Sequence, residues 1–357
     1  MFAMAKLFDP WKLRGVTMRN RIGISPMCQY SSVDGFPNEW HLVHLGSRAV
    51  GGAGLIIAEA SAVEPRGRIS EADAGMYSDD HVEAWRPITS RIAEQGAAPA
   101  IQLAHAGRKA GWSKPWPEYK LLEIDKGGWT PVAPSPIAFN DKHPTPKEMS
   151  LDDIAQVQRA FTSAAERSVA AGFAMIELHA AHGYLLNSFL SPLSNRRTDS
   201  YGGSFDNRSR MLVEIVEGVR KVIPESMPLW VRLSCVDWEP DGWNIEDSVR
   251  LAARLKPLGV DVIDCSSGGN SATARIAVVP GYQVPFAEQI RREADIATAA
   301  VGLITEAQQA GAIIAEGQAD AVLIARASLR DAYWPTRAAH ELAAELPAPK
   351  QYRRAWI

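Results

Sequence analysis

The sequence predicts a (β/α)₈ barrel, and three observations carry that prediction. Eight short apolar runs recur along the 357 residues without the polar alternation of a half-solvated strand, as expected for parallel strands buried on both faces. Helical patterns lie between the runs. No Gly-x-Gly-x-x-Gly follows any run, which disfavours the alternative, a doubly wound sheet. The runs are Ile22–Met27, Leu55–Ala60, Ala100–Ala104, Met175–Leu178, Leu229–Leu233, Val260–Cys265, Ile296–Val301 and Ala321–Ala325.

Several segments between the runs have the spacing of helices. Ser150 begins one with a capping-box pattern in which Asp153 replaces the usual Glu or Gln, and apolar residues then recur at helical spacing. Residues 207–222 and 306–316 predict two more helices. The stretch 40–44 is predicted to lie in a helix after the first strand, where we interpret its two histidines as structural.

Two segments lie outside the repeat. The residues before Arg21 are predicted to cover the N-terminal end of the barrel. Residues 106–149 form a long Trp- and Pro-rich excursion after the third strand, which we expect over the C-terminal face, where barrel active sites lie. No linker divides the chain, so we expect one domain over residues 1–357. Of the 11 Trp, we interpret several as walls of the active site or of a subunit contact: Trp112, Trp116, Trp129, Trp238, Trp243, Trp334 and Trp356.

Composition argues against several classes of function. The 38 Lys and Arg against 41 Asp and Glu give a net charge of -3, which leaves no basic field for nucleic acid. No apolar run reaches the roughly 18 residues that suggest a membrane span, and no secretory signal is expected in residues 1–15. The 3 Cys contain no Cys-x-x-Cys, which argues against a cysteine-based zinc or iron–sulfur site. We expect a cytoplasmic protein.

The fourth strand ends in two imidazoles and a phenol, namely His179, His182 and Tyr184. By themselves these are polar groups at a strand end, or metal ligands that lack a convincing third partner. A functional reading is also open, in which the two histidines donate N–H groups to an anion and the phenol protonates a carbanion or enolate. That arrangement suits addition across an activated double bond.

Small and positive residues end the fifth, seventh and eighth strands. Arg232 and Arg326 can be solvated ion-pair partners, but backbone N–H groups after strands seven and eight of a barrel commonly hold a phosphate. Gly302 permits the close approach of a phosphate, and Arg326 offers it a bidentate donor. Arg232 could place positive charge near a delocalised anion such as a reduced flavin. Cys28, where strand one ends, is by itself most simply a small buried hydrophobe.

Four segments together resemble one family. Residues 25–28, 101–109, 179–184 and 195–204 are similar to motifs of the Old Yellow Enzyme family of flavin-dependent ene-reductases, in particular its bacterial xenobiotic-reductase-like branch. The likeness extends from Leu7 to Trp356. It implies a non-covalently bound FMN that NADPH or NADH reduces, in a homodimer or homotetramer.

The resemblance also implies site residues. His179 and His182 would bind the oxygen of the activating group, Tyr184 would be the proton donor, and Tyr30 would reach the substrate. Arg354 would enter a neighbouring subunit's site near Trp356, although the Arg353–Arg354 pair leaves open which arginine crosses. Ala325 stands where many members have Gly. The implied FMN neighbours are Ser25, Pro26, Met27, Cys28, Ala60, Gln102, Arg232, Gly302, Ala325 and Arg326, of which Cys28 would tune the flavin potential.

The predicted function is therefore an NAD(P)H-dependent FMN oxidoreductase that reduces the activated C=C bond of enones, maleimides or nitro compounds. In a ping-pong scheme, His179 and His182 stabilise an enolate-like transition state, hydride goes from flavin to Cβ, and Tyr184 protonates Cα. Three alternatives stay open: a dihydroorotate-dehydrogenase-like flavin barrel, a metal-dependent hydrolase that uses the two histidines, and a flavin-binding protein without turnover. Iron–sulfur dienoyl-CoA reductases need a cysteine cluster and extra domains, which 3 Cys and 357 residues do not provide.

Overall fold

The computed structural model describes residues 6–355 and contains a closed barrel of eight parallel strands. The strands follow one another round the barrel in chain order, and the eighth pairs with the first through Val322 and Ile22. The predicted (β/α)₈ barrel is thereby confirmed. In order, the barrel strands are Ile22–Ile24, Leu55–Ala62, Ala98–Ala104, Met175–Ala180, Leu229–Ser234, Val262–Ser266, Ala297–Ala300 and Ala321–Ile324.

The predicted runs and the observed strands coincide in place and differ at their ends. The first strand stops at Ile24 rather than at Met27. Ser25 still donates its N–H to Ile324 O at 3.1 Å, but Pro26 has no N–H with which to continue the ladder. The chain therefore leaves the barrel here, and the residues from Pro26 onward form a loop over the C-terminal end.

Helices surround the barrel and bury one apolar face each against it. The predicted capping box is confirmed, because Ser150 Oγ accepts from Asp153 N and Asp153 Oδ2 accepts from Ser150 N, both at 3.1 Å. The helices are Glu39–Val50, Asp80–Glu94, Leu151–Ala170, Leu185–Leu190, Phe205–Val222, Ile245–Leu255, Val284–Glu293, Ala307–Ala315, Arg326–Arg330 and Trp334–Glu341. No helix within residues 6–355 is both long and apolar enough to cross a bilayer.

A hairpin closes the N-terminal end of the barrel. Its strands, Trp11–Leu13 and Val16–Met18, pair antiparallel, and the Trp11 ring lies 6.0 Å from that of Trp230 inside the barrel. Both Trp11 and Met18 join the apolar cluster formed by the first residues of the barrel strands. Among the described residues before Arg21, the predicted cover is confirmed, and the opposite end is left open for function.

The excursion over residues 106–149 is mostly irregular, with two short strands, Val132–Ala133 and Lys147–Glu148. Trp116 meets Tyr30 edge-on, with ring centroids 6.0 Å apart, at the end of the first barrel strand. Arg108 donates to Asn270 O at 2.6 Å in the loop after the sixth strand. The excursion therefore lies over the C-terminal end, as predicted.

The interpretation of the tryptophans is wrong for two of them. Trp243 and Trp334 are each only 1% exposed and belong to the main hydrophobic core. Their ring N–H groups are satisfied there by Ser248 Oγ and Thr305 O. Both are structural residues, because the loop that holds Trp243 and the first turn of the helix Trp334–Glu341 direct the two rings inward. Trp356 lies outside the described residues.

Candidate active site

A polar layer crosses the inside of the barrel near its C-terminal end. Gln102 Nε2 donates to Glu177 Oε1 at 2.8 Å, and Arg232 Nε lies 3.1 Å from Asp264 Oδ2. All four side chains are buried. Burial raises the pKa of Glu177 well above its usual range, and the neighbouring Asp264 raises it further, so Glu177 keeps a proton that it shares with Asp264. Asp264 is then the anion that faces Arg232.

Arg232 is held by charge rather than by an aligned hydrogen bond. Its Nε has no hydrogen-bond partner of good geometry in the described chain, and neither do the Asp264 oxygens. The outer guanidinium nitrogens are not enclosed and also lack a protein partner within residues 6–355. Arg232 and His179 are paired positions on adjacent strands. The barrel mouth therefore carries a fixed positive charge with N–H donors to spare.

The two histidines at the end of the fourth strand stand at right angles. Their ring centroids are 5.1 Å apart with an interplanar angle of 88°, and the Tyr184 ring lies 5.1 Å from that of His179. Burial lowers the pKa of both imidazoles well below the usual range, and the charges of Arg232 and Lys109 lower it further. Both rings are therefore neutral, and each carries a single N–H.

Hydrogen bonds engage one nitrogen of each ring. His179 Nδ1 accepts from Ala181 N at 3.3 Å, which places the ring proton of His179 on Nε2. His182 Nε2 lies 2.6 Å from Ser266 Oγ. The remaining nitrogens, Nε2 of His179 and Nδ1 of His182, have no partner in the described chain and are not enclosed. The pair can thus present two ring nitrogens to one ligand atom.

A strained turn carries His182 and Tyr184. His182 and Gly183 both have left-handed backbone, with φ of 62° and 72°. Lys109 Nζ holds this turn by donating to His182 O at 2.8 Å and to Gly269 O at 2.9 Å. The same ammonium lies 5.3 Å from the Tyr184 ring centroid. Burial lowers the pKa of Lys109 to about 8 and raises that of Tyr184 well above the usual range, so the phenol stays protonated at neutral pH.

Glu59, in the second barrel strand, anchors the loop that follows the first strand. Glu59 Oε2 accepts from Gln29 N at 2.9 Å, between Cys28 and Tyr30, and Glu59 Oε1 lies 3.2 Å from His41 Nε2. His41 is buried, in agreement with a structural histidine in this helix. Tyr30 has a φ of 50°. Burial raises the pKa of Cys28 well above its usual range, so it stands at the barrel mouth as a thiol.

A cavity of about 250 Å³ opens beside the ends of the sixth, seventh and eighth strands. Gly302, Ala325 and Arg326, the residues predicted to hold a phosphate, are among those that line it. Gly302 has a φ of 119°, and a Cβ at this position would lie 2.8 Å from Gln283 Nε2. The cradle therefore exists only because residue 302 has no side chain.

Sequence patterns missed two residues of this cavity, Ser266 and Gln283. Ser266 ends the sixth strand, and polar residues at a strand's carboxyl end were the signal that could have found it. Gln283, at the start of the helix Val284–Glu293, left no comparable signal. Gln283 Nε2 donates to Val301 O at 2.9 Å, which fixes the orientation of its amide.

These donors suit a ligand that combines a phosphate, a polyol and a flat ring, as FMN does. Arg326 and the glycine cradle offer the phosphate a guanidinium and close backbone approach. The outer N–H groups of Arg232 have no protein partner within residues 6–355 and could donate to a flat ring that carries negative charge. The residues present therefore fit FMN.

Other predicted residues are placed less centrally. Arg354 is exposed in the short 3₁₀ helix Lys350–Ala355, and Arg326 is also exposed. Ser25, Ala60 and Gln102 are buried at strand ends, whereas Pro26 and Met27 are half-buried. Within residues 6–355, no group of three or more His, Cys, Asp or Glu side chains is arranged to hold a metal ion, so His179 and His182 have no third ligand there.

Comparisons with known proteins find relatives over nearly the whole chain. The family described as NADH:flavin oxidoreductase / NADH oxidase matches residues 6–345. An NADPH dehydrogenase of Geobacillus sp. (strain WCH70) is 51% identical over 352 residues, which cover 98% of each chain. That of Bacillus subtilis (strain 168) is 48% identical over 353 residues, 98% of this chain and 99% of its own. Morphinone reductase in complex with tetrahydroNAD superposes with a TM-score of 0.78 at 29% identity, over 97% of this chain and 93% of that one.

Both relatives match over nearly their whole length, and the family profile spans the complete barrel. The resemblance noted from the four motifs is thereby confirmed, as are FMN as cofactor and a nicotinamide as reductant. The chain belongs to the NADH:flavin oxidoreductase / NADH oxidase family, the Old Yellow Enzyme family of FMN-dependent oxidoreductases.

Proposed function

We propose that this enzyme is an ene-reductase, which reduces the activated C=C bond of α,β-unsaturated carbonyl compounds, maleimides or nitroalkenes in a ping-pong reaction with NADPH or NADH. One observation carries the proposal: two neutral imidazoles with free ring nitrogens stand beside a protonated phenol, 5.1 Å from ring to ring. A hydrogen-bonded oxyanion site next to a proton donor is what alkene reduction requires.

When bound, FMN accepts hydride from the nicotinamide and supplies it to the Cβ atom of the alkene. The proposal assigns its binding residues by their places around the mouth. Arg232 would bind near the ring and supply positive charge to it. Gly302, Ala325 and Arg326 would hold the phosphate. The remaining contacts with FMN would be made by Ser25, Pro26, Met27, Cys28, Ala60 and Gln102.

The histidines activate the substrate. His179 Nε2–H and the accessible nitrogen of His182 bind the carbonyl or nitro oxygen, and their hydrogen bonds strengthen as negative charge develops there. Neutral donors suit this task, because a protonated imidazole would be costly to bury beside Arg232 and Lys109. Tyr30, with Trp116 against its edge, forms the opposite wall of the substrate site.

Tyr184 protonates the Cα atom. Because burial raises its pKa, the phenol gives up its proton only to a strong base such as the developing carbanion. The Lys109 ammonium, 5.3 Å from the Tyr184 ring, reduces the energetic cost of the phenolate that is left. The phenol then recovers a proton from solvent.

The purified protein tests this function directly. We expect a yellow protein that NADPH bleaches under anaerobic conditions and that cyclohex-2-enone recolours. A yellow protein that NADPH bleaches but only oxygen recolours would support flavin binding without alkene turnover. A colourless protein that contains zinc would favour a metal-dependent hydrolase instead.

We also propose a homodimer or homotetramer in which Arg354 reaches the neighbouring subunit's site. In support, Arg354 is exposed, and its 3₁₀ helix contacts the chain through Tyr352, whose ring lies 6.1 Å from that of Tyr333. Light scattering gives the subunit number, and Arg354→Ala, with Arg353→Ala as the matched control, shows which arginine affects the KM for the enone.

We further propose that the protein is cytoplasmic. Its three free thiols are compatible with that reducing compartment.

A further inference from the structure

A neutral histidine can donate from only one ring nitrogen, so its tautomer decides whether it can hold a substrate oxygen. For His179, the backbone N–H of Ala181 settles the matter by occupying Nδ1. For His182, the accessible nitrogen is Nδ1, because Nε2 points to Ser266 Oγ at 2.6 Å. His182 therefore donates to the substrate only if Nε2 is the nitrogen without a proton.

The direction of the Ser266–His182 hydrogen bond follows from the surroundings of the serine. Ser266 is 4% exposed, and its hydroxyl has one proton to place. Apart from His182, its only acceptor in the described chain is Gln283 Oε1, at 3.5 Å. That distance is at the outer limit for a hydrogen bond between oxygens, which is usually 2.7–2.8 Å.

Gln283 is also already engaged. Its Oε1 accepts from Ser267 Oγ at 2.7 Å, and its Nε2 donates to Val301 O, so its amide cannot turn to favour Ser266. If His182 donated to Ser266, the serine proton would have no well-placed acceptor among the protein groups of residues 6–355. If Ser266 donates to His182 Nε2, both groups are satisfied at 2.6 Å.

We propose that Ser266 is a positioning residue that fixes the tautomer of His182, because it donates to Nε2 and thereby keeps the ring proton on Nδ1, where it faces the oxygen of the substrate. The assignment of the tautomer rests on the hydrogen-bond geometry. Its effect on substrate binding rests on the proposed function. Both histidines are then oriented by a hydrogen bond to the ring nitrogen that faces away from the substrate. The backbone N–H of Ala181 orients His179, and the side chain of Ser266, from the sixth strand, orients His182.

The first test reads the tautomer itself. The FMN-loaded enzyme, labelled with ¹⁵N in its 8 His, is examined by ¹H–¹⁵N NMR, and the His182 signals are identified by their loss in His182→Asn. We expect a proton on Nδ1 and none on Nε2 in the wild type and in Ser266→Thr, which retains the hydroxyl. We expect Ser266→Ala to move the proton to Nε2 in part or in full. Protonation at Nε2 in the wild type overturns the inference, as does an unchanged tautomer in Ser266→Ala.

The second test measures how the tautomer of His182 affects ligand binding. A phenol such as 4-chlorophenol mimics the enolate, and its binding to the FMN-loaded enzyme is followed by absorbance. Ser266→Ala should bind it roughly 10- to 150-fold more weakly, the effect expected from the loss of one hydrogen bond to a charged group. The matched control is Ser168→Ala, which removes a buried hydroxyl that bonds Ala164 O in the helix Leu151–Ala170, away from the site, and should change the affinity by less than about twofold. Equal affinities for Ser266→Ala and the wild type would overturn the inference.

The two failures can be told apart. If the wild type binds no phenol and reduces no enone while His182 still carries its proton on Nδ1, the proposed function fails and the tautomer assignment stands. If the wild type reduces enones with the proton on Nε2, the assignment fails and the function stands. Should Ser266→Ala lose FMN, the wild-type spectrum and Ser266→Thr still decide, because neither depends on that variant.

Discussion

Removal of the Arg232 charge should destabilise the protein, and the loss should grow with pH. The substitution Arg232→Met keeps most of the side-chain volume and leaves Asp264 facing Glu177 with no cation. Both members of the pair are almost completely buried, with 6% and 0% of their side chains exposed. Breaking a buried ion pair by removing one partner typically costs about 3–5 kcal/mol.

The magnitude can be worked out from the titration of Asp264. Without Arg232, burial raises the pKa of Asp264 further, and the folded protein keeps this carboxyl protonated. The unfolded chain ionises it at about pH 3.9, so each pH unit above that value costs the folded state about 1.36 kcal/mol until the raised pKa is passed. Because burial already raises the pKa of Asp264 somewhat in the wild type, the loss is at most about 4 kcal/mol at pH 7 and at most about 1.5 kcal/mol at pH 5. It vanishes below the unfolded pKa, where both states are protonated.

Urea unfolding at pH 5, 6 and 7, with excess FMN at fixed concentration, measures this slope. The double variant Arg232→Met/Asp264→Asn has no buried charge and should recover most of the stability at pH 7. The matched control is Arg337→Met, because Arg337 pairs with Asp331 at 3.0 Å with 44% and 33% of the side chains exposed. An exposed pair contributes about 0–1 kcal/mol. A loss that does not change with pH, or a double variant no more stable than Arg232→Met, would refute the reasoning.

Three further predictions follow from the proposed site. Tyr184→Phe should slow alkene reduction about 10²–10⁴-fold in stopped-flow measurements while flavin reduction by NADPH stays unchanged; equal effects on both half-reactions would contradict its role as proton donor. Gly302→Ala should purify with substoichiometric FMN, because the new Cβ lies 2.8 Å from Gln283 Nε2, and an FMN content of one per chain would argue against the phosphate cradle. Since the pKa of Lys109 is lowered to about 8, alkene reduction should decline as pH rises above 8, and Lys109→Met should lower the rate and remove that decline; a decline retained in Lys109→Met would assign it to another group.

The barrel could be predicted because burial on both faces leaves a local mark on each strand. Every apolar run became a strand, and the errors concern only the ends, where the last ladder hydrogen bond depends on the neighbouring strand as well as on the residue itself. At the first strand a local signal did exist, since Pro26 cannot donate to the ladder. The tryptophans were harder. A position after a strand does not say which way a ring points, and Trp243, in a loop, and Trp334, at the start of a helix, both point into the core.

The candidate site could be predicted where its residues are close together in the sequence. His179, His182 and Tyr184 lie within six residues, so their joint chemistry is visible before the fold is known. Their supports are not local: Lys109 is 73 residues from His182, and Ser266 is 84 residues from it. Only the closed barrel brings the ends of the third, fourth and sixth strands within hydrogen-bond distance.

The distribution of charge explains why these distant supports matter. Burial lowers the pKa of His179 and His182, and the charges of Arg232 and Lys109 lower it further, so the site has its positive charge on two groups that are themselves fixed by Asp264 and by backbone carbonyls. The imidazoles are thereby kept neutral. A neutral ring loses the second N–H that protonation would have provided, so its one proton must be on the correct nitrogen. Burial, together with the cations that favour a developing oxyanion, thus creates the need for tautomer control, and the bonds from Ala181 N and Ser266 Oγ are placed where they can meet it.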